Sequence, residues 1–210
     1  MIYLLDIYDE IVNNEKIVIK SLRFTEIYSL NRMYSSLSNK SKFFFHPPNL
    51  QWTLKPICII TKTLLILSTL PLIEPLRVKI FPVGVMLPII AVNTNNEAIG
   101  FANLVINKRI REGYVAGLSM GVHDRYQGKK IGSYLIERLL RIAHRFKVHK
   151  IILTVDCKNK IAISLYKKFG FEIEEKVQNG DFWDGRSITI YKMSKILNNK
   201  NENMPDNNAF

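Results

Sequence analysis

The residues from Leu118 to Phe171 constrain the fold and the chemistry more than any other part of the chain. An apolar run ends at Val122, and a turn rich in glycine and lysine, Gln127-Gly-Lys-Lys-Ile-Gly132, then opens an amphipathic helix. Such a turn presents backbone N–H groups and the positive end of a helix dipole, and both favour an anion such as a phosphate. The pattern therefore predicts a strand, a phosphate-binding turn and a helix, in that order.

A second pattern runs from Asn159 to Phe171 and reads Asn-x-x-Ala-x-x-Leu-Tyr-x-x-x-Gly-Phe. The two patterns together resemble those of the GCN5-related N-acetyltransferase (GNAT) family, whose cofactor turn follows Gln/Arg-x-x-Gly-x-Gly/Ala and whose second motif is matched here at every position. Lys130 stands in place of the first motif glycine, while Gly128 and Gly132 remain. Two motifs at the proper separation are much more specific than one short glycine pattern.

The resemblance implies an α/β fold, namely a single GNAT-like domain with a mixed, curved β-sheet flanked by helices. It covers Asn96–Lys195 well and Ile17–Ser41 loosely, so residues 1–195 are expected to form the N-acetyltransferase domain. The apolar segment 52–85 is unmatched, and we expect a substrate-side cover or buried core there. Residues 196–210 are polar and rich in asparagine, which predicts a disordered tail.

Apolar runs and turn residues predict the individual elements. Thr25 is expected to cap the first helix, and Asn107–Glu112 to form a turn between two strands. Further helices are expected to follow the glycine turn as far as Phe146 and to span Asn159–Phe169. The predicted strands are Ile2–Tyr8, Lys16–Leu22, Pro88–Val92, Ala98–Ile106, Tyr114–Val122, Lys150–Asp156, Phe171–Val177 and Ser187–Met193.

The resemblance implies acetyl-CoA as a co-substrate, held by two groups of contacts. The end of the strand before the turn would pair with the pantetheine arm through its backbone, and the turn would offer N–H groups to the pyrophosphate. Asn159 either touches the cofactor or only caps its helix, and the two roles are compatible. The expected cofactor-binding residues are Met120, Gly121, Val122, Gln127, Gly128, Lys129, Lys130, Ile131, Gly132, Ser133 and Asn159.

Acetyl transfer requires an amine to attack the thioester carbonyl while a thiolate departs. The departing sulfur needs a proton or a hydrogen-bond donor, and the resemblance gives this catalytic role to Tyr166; packing of its ring on a helix is the alternative. A lysine amine, with a pKa near 10.4, needs roughly 4–5 kcal/mol to become neutral at pH 7, so a base would help. Thr154 stands where relatives that acetylate protein N-termini often carry a glutamate. Glu112, His123 and Asp156 remain possible bases without strong positional support, and no base is assigned.

Composition bounds the other classes of function. The formal net charge is +12, and 12 Lys and Arg residues against three acidic ones lie between His123 and Gly170. Much of the excess positive charge therefore lies in the predicted cofactor segment. It could attract the phosphates of coenzyme A or a nucleic acid. The four histidines show no metal spacing, and the two cysteines argue against a disulfide framework. Charges and prolines interrupt the apolar region Pro56–Ala91, which argues against a membrane span.

The sequence as a whole predicts a cytoplasmic enzyme that transfers the acetyl group of acetyl-CoA to a primary amine by direct attack in a ternary complex. The acceptor, on a protein N-terminus, a lysine or a small molecule, is left open, as is a homodimer. We expect no metal, no specific nucleic acid, no membrane partner and no signal peptide. Two other classes remain open. One is a catalytically inactive acyl-CoA-binding domain, which would follow if Lys130 or the missing glutamate matters; the other is a basic nucleic-acid-binding module.

Overall fold

The computed structural model describes residues 8–12, 15–45, 85–110 and 113–197. Within these ranges the chain forms strands and helices that alternate as an α/β domain. The elements are β1 (Tyr8–Val12), β2 (Glu15–Ser21), α1 (Ile27–Ser35), α2 (Asn39–Phe44), β3 (Val85–Val92), β4 (Ala98–Ile110), β5 (Gly113–Val122), α3 (Ile131–Arg145), β6 (Val148–Asp156), α4 (Lys160–Lys168), β7 (Glu172–Trp183) and β8 (Arg186–Ile196).

The described strands form one mixed sheet in the order β1-β2-β3-β4-β5-β6-β8-β7. Its neighbours are antiparallel except β5 and β6, which run parallel because α3 crosses over between them. The parallel pairing extends only from Tyr114 opposite Val148 to Gly117 opposite Ile152. Beyond these pairs β5 continues along β4 to Val122, and β6 continues along β8 to Asp156. The two halves of the sheet therefore separate between β5 and β6.

Helices cover both faces of the sheet. On one face α3 and α4 pack on the main core, and Gly100 of β4 admits α3 closely, since an added Cβ there would lie 3.1 Å from Leu135 and 3.2 Å from Ile131. On the other face α1 packs Leu30 and Met33 against the sheet. The apolar stripe of α3 explains its place, because each fully buried aliphatic side chain contributes about 1.5–3 kcal/mol. Its buried aliphatic residues are Ile131, Leu135, Ile136, Leu139, Leu140 and Ala143.

A buried ion pair fixes the start of α1 against the sheet. Glu26 accepts from the Lys20 ammonium of β2 at 2.7 Å through one carboxylate oxygen and from the Arg23 backbone N–H at 2.8 Å through the other. The prediction that Thr25 caps this helix was wrong: a short 3₁₀ turn, Phe24–Glu26, precedes α1, and Glu26 occupies the N-cap position. The carboxylate of Glu26 is therefore used to join α1 to β2.

The fold class predicted from the sequence is confirmed, and most element boundaries agree within a few residues. The predicted turn Asn107–Glu112 was too long, because β4 continues to Ile110 and β5 begins at Gly113. Helix α2 was not predicted. The predictions for Ile2–Ile7, for most of the unmatched segment 52–85 and for the tail after Leu197 lie outside the described residues. None of the described helices combines the length and the apolar character needed to cross a membrane.

Candidate active site

The separation of β5 from β6 leaves one edge of β5 without a strand partner. From Leu118 to Val122 the described strand pairs on its other side only, with β4. A strand edge of this kind offers N–H and C=O groups that must find other partners, and an extended ligand containing amides can supply them. Met120, Gly121 and Val122, predicted to pair with a pantetheine arm, lie on this open edge. We call the space between the diverging strands the β5–β6 slot.

The turn after β5 concentrates unused backbone donors. In the described part of the chain, the N–H groups of the five residues from Gly128 to Gly132 make no hydrogen bond to another protein group. The N–H of Ser133 differs from the prediction, because it donates to the Lys130 carbonyl at 2.9 Å. Five successive free donors at the N-terminus of α3, a helix of 15 residues, form an anion site of the kind that binds a pyrophosphate.

The two glycines of the turn are required for different structural reasons. Gly128 adopts a positive φ of +76° with open space around it, so it supplies a left-handed bend. Gly132 allows close packing, because an added Cβ would lie 3.0 Å from Leu165 of α4 and 3.3 Å from Met120 of β5. The first turn of α3, the end of β5 and α4 therefore meet at Gly132, and a larger residue would separate them.

Tyr166 lies on the buried face of α4, with its ring 5.8 Å from that of Phe171. Its hydroxyl makes no hydrogen bond within the described residues. Burial raises the pKa of Tyr166 above its ordinary value of 10.0, so the hydroxyl keeps its proton throughout the neutral range. Since Leu165 beside it contacts the site of Gly132, the helix carrying Tyr166 borders the turn and the end of β5. The ring packs in the core while its hydroxyl is a protonated donor without a protein partner.

Asn159 caps α4, because its side-chain oxygen accepts from the Ala162 N–H at 3.2 Å. The capping role left open by the sequence is therefore present, and the same helix begins directly after β6, on the far side of the slot. Asp156 ends β6: one of its carboxylate oxygens accepts from the Lys158 N–H at 2.6 Å, and the other is buried without a partner. Thr154, in the position expected for a glutamate, is an exposed residue of the same strand.

These elements match those of a known family. Residues 81–171 fit the family model described as acetyltransferase (GNAT) family. This matched segment, which is less than half of the chain, resembles a GNAT acetyltransferase domain. The match confirms the resemblance inferred from the two sequence motifs, and the matched family is one of acyltransferases.

Individual relatives agree with this assignment. The chain is 27% identical over 103 residues to the L-amino acid N-acetyltransferase AaaT of Escherichia coli (strain K12); the match covers 49% of this chain and 64%, or less than two thirds, of that relative. A ribosomal-protein-S5-alanine acetyltransferase from Vibrio fischeri has a TM-score of 0.69 at 13% identity, covering 86% of this chain and 92% of that one. A spermidine N-acetyltransferase from Vibrio cholerae, solved with CoA and spermine, has a TM-score of 0.62 at 18% identity, covering 86% of this chain and 95% of that one. At these identities the structures establish the fold alone.

The GNAT turn departs from its family pattern at Lys130, and the structure shows the consequence. Lys130 has a φ of +61° and a ψ of 1°, in the left-handed region, at the N-cap of α3. A residue with a Cβ is disfavoured there by roughly 1–2 kcal/mol, whereas glycine is not. Lys130 therefore keeps the backbone path that glycine would give. It does so at a local cost in stability, and its exposed side chain adds an ammonium beside the free N–H groups.

Other basic groups border the turn. Arg125 is exposed, and the Lys129 ammonium lies 4.9 Å from the centroid of the Tyr126 ring, in a cation–π contact. Gln127, predicted to bind the cofactor, uses both hydrogens of its side-chain amide within the protein, donating to the Val122 carbonyl and to the Ser41 hydroxyl, each at 3.1 Å. Its side chain thus positions the turn, and the turn's backbone remains free for the ligand.

A cluster around Asp124 joins α2 to the cofactor turn, and sequence reasoning missed it. Asp124 accepts hydrogen bonds from the Ser38 N–H at 2.9 Å, the Ser38 hydroxyl at 2.7 Å and the Ser41 hydroxyl at 2.6 Å. Burial opposes its ionisation, but these hydrogen bonds prevail and lower the pKa of Asp124 to about 2. Ser38 also caps α2, accepting from the Ser41 N–H. We call Ser38, Ser41, Asp124 and Gln127 the Asp124 cluster.

Helix α2 delivers an aromatic ring to the edge of the slot. Phe45, which follows α2, packs on Gly121, since an added Cβ at Gly121 would lie 2.7 Å from the ring. The Phe45 ring also contacts Tyr34 and Phe101, with centroids 6.2 and 6.5 Å apart. The Asp124 cluster, by holding α2, therefore fixes a wall beside the open end of β5.

The structure gives no support to His123 as a base. Its Nδ1 accepts from the Arg125 N–H at 3.3 Å, so the neutral ring carries its proton on Nε2, which lies 3.2 Å from the Ser36 hydroxyl. Both ring nitrogens are thus used to hold the turn against the end of α1. Glu112 lies outside the described residues. Within the described ranges, no group of three or more His, Cys, Asp or Glu side chains is placed to hold a metal ion.

We expect Lys130→Gly to raise the free energy of unfolding by about 1 kcal/mol, because glycine adopts the left-handed conformation without the Cβ penalty. Lys130→Ala is the matched control, since it removes the same ammonium and keeps the Cβ. Urea denaturation measures both. A Lys130→Gly chain no more stable than the alanine variant would contradict strain at this position.

The Asp124 cluster predicts a pH-dependent contribution to stability. Because the folded-state pKa of Asp124 lies below that of an unfolded aspartate, its carboxylate stabilises the fold above about pH 4. That contribution is lost as the pH falls through about 2. Thermal unfolding of wild type and Asp124→Asn should therefore differ most above pH 4, and the difference in Tm should shrink toward pH 2.

Asp184→Asn, in the exposed turn between β7 and β8, is the matched control and should show no such trend. A difference between wild type and Asp124→Asn that stays constant from pH 7 to pH 2 would show that the carboxylate does not act through its charge.

Proposed function

We propose that this GNAT domain transfers the acetyl group of acetyl-CoA to a primary amine, with both substrates bound together. The observation that carries the proposal is the β5–β6 slot, whose open strand edge leads directly into the free N–H groups of Gly128–Gly132. An extended amide-containing arm that ends in a pyrophosphate is complementary to these two features in that order. The AaaT relative, named for its action on L-amino acids, supports an amine acceptor.

The residues present fit coenzyme A. The turn can approach a pyrophosphate because Gly128 has open space around it and Gly132 keeps the start of α3 close to β5. In this proposal the pyrophosphate accepts from the N–H groups of the turn, and the ammonium groups of Lys129 and Lys130 offset its charge. The pantetheine arm pairs with the open edge at Met120, Gly121 and Val122, which directs the thioester into the slot.

The reaction then needs few protein groups. The acceptor nitrogen attacks the thioester carbon, a C–N bond forms, and the C–S bond breaks as the electron pair returns to sulfur. The nitrogen loses one proton and the thiolate gains one, so the exchange is balanced without another reactant. Tyr166 donates a hydrogen bond to the sulfur as it becomes negative, since its hydroxyl is protonated and has no partner among the described residues.

A calorimetric titration with acetyl-CoA tests the cofactor site. Wild type is expected to bind, and Gly132→Trp to lose binding because the indole would push apart β5, α3 and α4 where they meet. Gly132→Ala is a milder variant that needs Leu165 to move by only a few tenths of an ångström. Glu137→Trp places the same large side chain on the exposed face of α3 and should bind normally. A folded wild-type chain that does not bind acetyl-CoA would overturn the proposal.

Turnover with a panel of amines tests the role of Tyr166. Tyr166→Phe is expected to lower kcat by about 100-fold and leave acetyl-CoA affinity unchanged, because it removes only a donor to the departing sulfur. Stability should change little, since that hydroxyl has no hydrogen bond to lose in the described structure. Tyr134→Phe on α3 is the matched control.

Unchanged turnover of the Tyr166→Phe variant would remove Tyr166 from the reaction. A wild-type chain that binds acetyl-CoA tightly and acetylates none of the amines would instead be the catalytically inactive binding domain.

A further inference from the structure

Three alternate residues of β5 form the floor of a groove on the face of the sheet that carries α1. Gly121 points to this face, because the ring of Phe45 covers it, and Gly117 and Ser119 share the face by the two-residue period of a strand. An added Cβ at Gly117 would meet nothing within 4 Å. We call this small-residue floor, closed at one end by Phe45, the acceptor groove.

A buried polar side chain without a partner borders this floor. Asn103 of β4 lies directly opposite Ser119 in the antiparallel register, so the two side chains stand next to each other on one face. Asn103 is only 5% exposed, and its side-chain oxygen has no hydrogen-bond partner. The Ser119 hydroxyl also has none within the described residues. Buried acceptors are seldom left unpaired, because desolvation without a hydrogen bond is costly.

The face that carries α1 is the side from which an acceptor must approach in the proposed function. Phe101, two residues before Asn103 on β4, packs with α1, whereas α3, α4 and Tyr166 cover the opposite face. The cofactor turn leads into α3, so acetyl-CoA occupies that opposite face in the proposed function. An amine that attacks a thioester held in the β5–β6 slot therefore comes from the face of Asn103 and Ser119.

We propose that Asn103 and Ser119 bind the acceptor nitrogen, and that the acceptor is the α-amino group of a peptide. This inference rests on the proposed acetyl transfer and adds to it the residues and the substrate class. The oxygen of Asn103 accepts a hydrogen bond from the amine N–H, and the Ser119 hydroxyl accepts a second. Both are neutral, so they orient an amine without holding it in the charged form that cannot attack.

The choice of a peptide α-amine follows from the absence of carboxylates at the described strand positions that face the groove. The described positions of β3, β4 and β5 that share this face carry no carboxylate; they are Met86, Pro88, Ile90, Val92, Phe101, Asn103, Val105, Gly117, Ser119 and Gly121. A peptide α-amine has a pKa near 7.8, so about a third of it is neutral at pH 7.5, against about 0.1% of a lysine side chain. A neutral site accommodates the weakly basic amine far more readily than a lysine or a polyamine.

Steady-state transfer to four acceptors tests the proposal: an alanyl peptide amide, free alanine, Nα-acetyl-lysine and spermidine. Wild type is expected to favour the peptide. Asn103→Leu should lower its kcat/KM for the peptide by about 10- to 100-fold, because the amine loses its acceptor. Acetyl-CoA affinity should stay the same, and Tm should stay equal or rise, since a leucine removes an unpaired buried polar group. Asn103→Asp should raise spermidine transfer relative to peptide transfer.

Ser119→Ala should lower peptide kcat/KM by a smaller factor, and Asn95→Leu, in the exposed turn between β3 and β4, is the control without effect. Unchanged peptide kcat/KM in both Asn103→Leu and Ser119→Ala would overturn the subsite while leaving the acetyltransferase intact. A preference of wild type for free alanine, Nα-acetyl-lysine or spermidine would overturn the substrate class. Failure of wild type to acetylate any amine would overturn the proposed function itself, and this inference with it.

Discussion

The short parallel pairing between β5 and β6 is the constraint on which the rest of the site depends. Crossover through α3 brings the two strands side by side, and their register ends at Gly117 and Ile152. If the strands paired to their ends, the free backbone groups of β5 would be satisfied and the sheet would be more regular. The slot would then be closed. An open slot therefore leaves part of the sheet's hydrogen bonding to a ligand, and ligand binding should stabilise the fold by mass action.

The Asp124 cluster extends this arrangement to the second substrate. It joins α2, which carries Phe45 to the edge of the acceptor groove, to the turn that presents N–H groups to the cofactor. Its carboxylate accepts three hydrogen bonds from α2 and the residue before it, while Gln127 holds the same turn against β5. The acceptor wall and the cofactor turn are therefore one connected unit. A change that loosens α2 is expected to disturb both binding sites.

The sequence predicted those parts of the fold that depend on local pattern. The glycine turn, the amphipathic α3 and the motif around Tyr166 follow from residues close in the chain, and they form the cofactor half of the site. The Asp124 cluster joins residues more than 80 positions apart, and no local pattern of apolar and polar residues predicts such a contact. Helix α2 is only six residues long, too short for a clear 3.6-residue pattern.

The residues of the acceptor groove carried a weaker signal. Asn103 is the one amide in the apolar run Ala98–Ile106 of β4, which is visible in the sequence, but its neighbour Ser119 follows only from the strand register. Lys130 shows the opposite case. The sequence shows that a lysine replaces a motif glycine. Only the backbone geometry shows that this lysine keeps the left-handed conformation for which a glycine would be favoured. Local chemistry can thus be proposed from sequence, whereas pairing across strands needs the fold.

The energetics of Tyr166 limit how it can assist. A thiol has a pKa near 8.5, and burial puts the pKa of Tyr166 above 10, so complete proton transfer from the tyrosine to a free thiolate is uphill by more than about 2 kcal/mol. A hydrogen bond to the sulfur as charge develops has no such cost and is strengthened by the low dielectric of a buried site. Tyr166 is thus best suited to stabilise the sulfur while the C–S bond breaks. The proton that finally neutralises the thiolate then derives from the acceptor nitrogen, which must lose one, and this keeps Tyr166 protonated for the next turnover.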